Sequence, residues 1–119
     1  IGSLAAVADR IDALDGLPWD RVEVLRCDVR DFAPIAGSDV YFDPPYLNCT
    51  RYACVLDRVA VIDVATRHAE VARVVVSEGE GLPLPGWTRS CLRRGRRDEW
   101  LTASWPISLP EQLSLGFAA

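Results

Sequence analysis

Asp43-Pro44-Pro45-Tyr46 stands directly after the short apolar run DVYF, 39–42. Chance produces this tetrapeptide in a chain of this length about once in 10³. Each member has a chemical use. The Asp43 carboxylate accepts hydrogen bonds. A proline fixes the turn and offers a carbonyl acceptor with no N–H of its own. Tyr46 presents a face on which a flat ring can stack. Such a grouping suits an amine held by two acceptors and a planar ring held by its face.

Two other places put polar residues at the ends of apolar runs. Asp28 closes VEVLRCD, 22–28, and Ser77 and Glu78 follow Val74–Val76. In open parallel sheets ligands bind beyond the carboxyl ends of the strands. Asp28, Asp43 and Ser77 therefore define one face, where the site is expected. A plainer reading stands beside this one: Asp28 caps the next turn, and Ser77 and Glu78 cap a turn or helix. His68, the one histidine, falls on a helical segment and reads as a surface residue. Nothing around it forms an acid or nucleophile pattern, so it is no candidate base.

These residues need elements to hold them. SLAAVADRIDAL, 3–14, repeats Leu4, Val7, Ile11 and Leu14 at helical spacing, and Gly16 and Pro18 stop it. Residues 22–28 and 39–42 read as strands. A helix is predicted from about Leu56 to Ala72, with Val59, Ile62, Val64 and Ala65 as its apolar set. Val74–Val76 has the composition of a parallel core strand. Residues 87–92 and 99–105 read as a hairpin around Arg93-Arg94-Gly95-Arg96-Arg97, and 106–119 as an irregular tail. The sum is an α/β fold, mostly parallel, with a C-terminal antiparallel hairpin at its edge.

The chain has 119 residues, with 13 basic and 17 acidic side chains and a net charge of −4. Half of it is hydrophobic, which excludes a mainly disordered chain. Bulk acidity argues against coating nucleic acid by net charge. There is no run of about 18 apolar residues for a membrane span and no secretory pattern. Cys27, Cys49, Cys54 and Cys91 form no C-x-x-C pair, so a metal site is not expected and free thiols in a reducing cytoplasm are. The sequence starts at Ile1 and holds no Met, which suggests a fragment.

DVYFDPPY resembles the catalytic motif of S-adenosylmethionine-dependent amino-group methyltransferases, and most of all the adenine-specific DNA methyltransferases of bacteria and phages. CDVRDF, 27–32, is similar to the acidic turn before that motif, and YLNCTRYA, 46–53, to the loop after it. VVVSEGE, 74–80, and RRDEWLTASW, 96–105, resemble later strands, so the likeness covers roughly 20–105. It implies a partial Rossmann-like methyltransferase sheet over 1–105 and transfer of a methyl group to the N6 amine of an adenine flipped out of DNA. It also implies a bacterial or phage-infected cytoplasm and no metal.

An adenine amine is a poor nucleophile because its lone pair is delocalised into the ring. Two acceptors aimed at its hydrogens, the Asp43 carboxylate and the Pro44 carbonyl, favour a pyramidal nitrogen with a free lone pair. Pro45 completes the turn, and Tyr46 would stack on the base. Asp28, with the Val29 backbone beside it, would accept from the adenine amine of S-adenosylmethionine, and Asp43 also borders that cofactor. Thr50, Arg51 and Tyr52 would meet phosphate and the extruded base, with Ser77 on the site wall; a solvated loop is the alternative for the first three. Arg89, Arg93, Arg94, Arg96 and Arg97 read as a solvated hairpin tip, with DNA backbone contact the alternative.

The family's glycine-rich cofactor loop, an aromatic followed by Gly-x-Gly at the first strand, does not appear. It is expected in a missing N-terminal half of the same enzyme, together with the acid that binds the cofactor ribose. In the family's sheet those strands lie in the middle of the cofactor half, so these residues alone would leave a gap. Three alternatives remain: a ribosomal RNA guanine N2 methyltransferase, an inactive prophage-type remnant, and an incidental turn in an unrelated α/β domain.

Overall fold

A computed structural model describes residues 11–45, 56–93 and 98–107. Tyr46, Thr50, Arg51, Tyr52, Cys49, Cys54, Arg94, Arg96 and Arg97 lie outside them, as do most of the predicted 3–14 helix and the tail from 108. Among the described residues four strands form one mixed sheet: β1 (Asp39–Phe42), β2 (Arg73–Glu78), β3 (Thr88–Arg93) and β4 (Glu99–Ala103). Their order is β1-β2-β4-β3. β1 and β2 are parallel, in register from Asp39 with Arg73 to Phe42 with Val76. β2 with β4 and β4 with β3 are antiparallel. The sheet is therefore less parallel than the sequence suggested. The hairpin stands at one end of the described sheet: its second strand, β4, pairs with both β2 and β3, and β3 is the outer strand.

Helix α1 (Arg58–Ala69) makes the crossover between the parallel strands, the connection such a pair requires. It starts where Asp57, in extended conformation, accepts the Ala60 N–H at 2.8 Å. Asp57→Ala is expected to cost about 1 kcal/mol, read from urea unfolding, because that donor then loses its cap. The helix ends before Glu70, where the Val71 and Ala72 amides fold back on the His68 carbonyl.

Its buried face is Val61, Val64, Ala65 and His68, one stripe at helical spacing. This corrects the apolar set read from the sequence. Val59 is 76% exposed, and His68 is buried, not a surface residue. The run offers apolar residues at 59, 61, 62, 64 and 65, so two stripes are possible. Contact with the sheet selects the second.

The core under that stripe is Val61, Ala65, Val74, Val76 and Leu82, with Val40, Phe42 and Trp87 packed against it. Two side chains close the ladder where strands end: Thr102 Oγ1 accepts the buried Leu82 amide at 3.0 Å, and Ser104 Oγ accepts the Val74 amide at 2.9 Å. The turn into β1 needs a positive φ at Gly37 (+73°), whose amide donates to the Val71 carbonyl at 2.8 Å.

The predicted strand at 22–28 does not form. After a single 3-10 turn at Trp19–Arg21, residues 22–26 have no regular structure, and Val24 is 89% exposed. A strand exists only when a neighbour takes its N–H and C=O groups, and no described residue pairs with this segment. β1 is the terminal strand of the described sheet.

Candidate functional site

Asp43, Pro44 and Pro45 follow β1 at its carboxyl end, where strand-end geometry places ligands. They face a cavity of about 720 Å³, within the usual range for a small-molecule pocket. One wall is Arg26, Cys27, Asp28, Val29 and Arg30. The other is Phe42, Asp43, Pro44 and Pro45. Leu56, just before α1, and Val61 and Val64 on it supply the apolar part of the lining. Asp28, Val29, Asp43, Pro44 and Pro45 are thus brought to one opening. Asp43 is exposed there, while Pro44 and Pro45 are half-buried.

Asp28 is held by its neighbour. Arg30 donates from Nε to Oδ1 at 2.9 Å and from Nη2 to Oδ2 at 2.6 Å, and the Arg30 amide also donates to Oδ1 at 2.9 Å. The Asp31 amide meets the Asp28 carbonyl at 3.0 Å, closing the turn. Asp28 therefore caps its turn, the plainer of its two readings. Oδ2 keeps acceptor capacity beyond its bond to Arg30, since a carboxylate oxygen has two lone pairs.

The side-chain and backbone hydrogen bonds from Arg30 hold the Asp28 carboxyl down at about 2. The sign follows from the folded value lying below the unfolded one. The turn's contribution is whole above the usual 3.8 and fades as pH falls toward 2. An NMR titration of the Asp28 carboxyl is expected to show a midpoint near 2. A midpoint at the ordinary value would mean that the Arg30 contact does not persist in solution.

Ser77 and Glu78 belong to β2 rather than following it. Ser77 is 1% exposed and is not among the residues that line the cavity. Successive side chains alternate faces, and Glu78 shares the α1 face with Val74 and Val76. It lies two residues past Val76, as Pro44 lies two past Phe42. Glu78 is 6% exposed, and burial pushes its carboxyl upward. The Gly79 amide at 3.3 Å and Arg58 oppose this, while Glu80 and Asp43 add to it. Arg58 is itself paired with Glu80 at 2.8 Å.

His68 is the residue that the sequence concealed. It is 1% exposed, and neither ring nitrogen has a hydrogen-bond partner among the described residues. Leaving such a group unsatisfied costs about 1–3 kcal/mol. Burial is the main cause that lowers its pKa, with the Arg67 charge second; the Phe32 carbonyl, short of bonding geometry, acts the other way. The available signal was its helical spacing from Val61, Val64 and Ala65, which puts all four on one face.

Among the described residues no group of His, Cys, Asp and Glu could hold a metal ion, and no helix is long and apolar enough to cross a membrane. Cys27 is an exposed free thiol. Arg89 lies along β3, its side chain close over Gly81, and does not join the cavity.

No family model matches the chain, and no solved structure matches it. Prostaglandin reductase 1 of Bos taurus is 27% identical over 93 residues, covering 72% of this chain and 28% of the relative. Prostaglandin reductase 1 of Sus scrofa is 28% identical over 93 residues, with the same coverage. The chain thus spans little more than a quarter of the length of these curated relatives.

Proposed function

We propose that this chain is the catalytic part of an S-adenosylmethionine-dependent methyltransferase acting on the N6 amine of adenine in DNA. The observation that carries the reading is one of convergence. Asp43-Pro44-Pro45, at the end of β1, opens on the same cavity as Asp28 and Val29. Two segments that resemble one family at separate places in the sequence meet at one opening. The parallel β1–α1–β2 unit followed by an antiparallel hairpin agrees with a partial methyltransferase sheet.

The cavity suits a nucleoside. Its apolar lining of Leu56, Val61 and Val64 can take a flat ring, and the acidic Asp28 can take an amine at the ring's edge. Asp28 and Val29 would hold the cofactor's adenine end. When bound, the cofactor supplies an electrophilic methyl group on a sulfonium. Asp43 and the Pro44 carbonyl each accept one hydrogen of the target amine and direct its lone pair at that methyl. In this reading the amine nitrogen would take that methyl group as the sulfur leaves, and the proton released would pass to the Asp43 carboxylate or to water. Tyr46 stacks on the extruded base, and Thr50, Arg51 and Tyr52 meet the DNA around it. Alignment and charge complementarity carry the rate.

The test is transfer of labelled methyl from S-adenosylmethionine by the intact polypeptide that contains this chain. Duplex DNA, the same duplex with its adenines replaced by hypoxanthine, and ribosomal RNA are offered side by side. Label on adenine-containing DNA alone is the expected result. Label on RNA guanine would move the reading to the guanine N2 enzymes. Reduction of a prostaglandin without methyl transfer would replace it with the activity in the relatives' name.

A further inference from the structure

The two walls of the cavity come from different stretches of chain, and something must set the gap between them. Phe32 closes the turn that carries Asp28 and Val29, its amide donating to the Val29 carbonyl at 3.3 Å. Phe42 stands directly before Asp43 and lines the cavity. Both rings meet His68. Phe32 is stacked on the imidazole, with centroids 6.2 Å apart and planes 4° from parallel. Phe42 meets it edge-on at 5.4 Å and 85°. The preceding residue adds a tie, as Arg67 Nη2 donates to the Phe32 carbonyl at 3.3 Å.

We propose that His68 is the positioning residue of this cavity: its uncharged imidazole, packed against Phe32 and Phe42 at once, fixes the spacing between the Asp28–Val29 wall and the Asp43–Pro44 wall. What the cavity holds rests on the methyltransferase reading; the spacing role does not.

Neutrality is part of the role. An imidazolium carries two N–H donors, and neither ring nitrogen makes a hydrogen bond among the described residues; the Phe32 carbonyl is the one acceptor that acts on the ring, and it falls short of bonding geometry. The groups that act on the ring are Arg67 from α1, the Phe32 ring and carbonyl from the turn, and the uncharged Phe42 ring from β1. No carboxylate among them offsets a positive charge. The folded pKa lies below the usual 6.5, so stability from this packing is whole above that value and is lost as pH falls through the folded value. Protonation drives the ring from its place and lets the walls part.

Amide hydrogen exchange at 28–32, relative to exchange in β2, reads the wall directly. It is compared in the intact polypeptide for the wild type, His68→Phe and His68→Ala, at about pH 7.5 and about pH 5.5, after correction for intrinsic rates. Affinity for S-adenosylhomocysteine is measured on the same samples. In the wild type, protection at 28–32 is expected to fall about tenfold at the lower pH while β2 stays protected. His68→Phe, which keeps an aromatic ring and cannot titrate, is expected to hold protection at both values. His68→Ala is expected to lose it at both, with affinity for S-adenosylhomocysteine falling by about the same factor.

Equal protection in all three proteins overturns the proposal, as does a wild-type pH response that survives in His68→Phe. If His68→Ala does not fold, the wild type against His68→Phe decides. If 28–32 follows residue 68 but S-adenosylhomocysteine binds none of the three, the spacing role stands and the cofactor reading falls.

Discussion

Asp43→Ala in the intact polypeptide is expected to lower methyl transfer to adenine by about 10³-fold, the usual worth of a group that acts only as charge develops in the transition state. Affinity for S-adenosylmethionine is expected to change by less than about threefold, since Asp28 and Val29 hold the cofactor in this reading. The expectation follows from position. Asp43 is the first residue past β1, exposed at the mouth of the cavity, while β1 itself is held by parallel pairing with β2. The carboxylate is presented by a braced strand end, and its removal leaves that brace in place. Asp43→Asn is the informative companion. It keeps one carbonyl acceptor in the same place but adds two N–H donors and loses the charge. Its rate should fall between wild type and Asp43→Ala. Single-turnover transfer measures the chemical step, and a cofactor titration measures binding. Turnover retained in Asp43→Ala would end the amine-activation reading.

Leu82→Ala is expected to destabilise the fold by about 2–5 kcal/mol, a large part of a small domain's total stability. Leu82 is 2% exposed and packs into the cluster of Val61, Ala65, Val74 and Val76. Its amide is fixed by the Thr102 hydroxyl at 3.0 Å, so the backbone is poorly free to collapse into the space left behind. Urea unfolding checks this: the midpoint should drop with little change in slope. A loss under about 1 kcal/mol would show that the neighbours can close the gap. Leu82 does not line the cavity. Under conditions where Leu82→Ala remains folded, its cofactor affinity should therefore stay near that of the wild type. That separates a change in core packing from a change in the site.

Much of the site was written in contiguous residues. Asp43-Pro44-Pro45 after DVYF marks a strand end because an apolar four-residue run meets two prolines, and no distant contact is needed to see it. Val74–Val76 announces an inner strand, and the two runs flanking 93–97 announce a hairpin, for the same reason. The pairing of Asp28 with Arg30, two residues on, was also within reach of a local reading, as the turn cap weighed beside the cofactor role.

Distant partners settled the rest. The segment 22–28 has the residues of a strand, yet strand geometry is a property of a pair, and no neighbour among the described residues meets it. The stripe of α1 that faces inward was ambiguous by two residues. Only the placement of β1 and β2 beneath it buries Val61 and exposes Val59. The burial of His68 follows from that same choice, and so does its contact with Phe32 and Phe42, which lie 36 and 26 positions earlier in the chain. Composition and spacing are local and name the groups that can do chemistry. The gap between those groups depends on packing across the sheet, because contacts between remote residues set it.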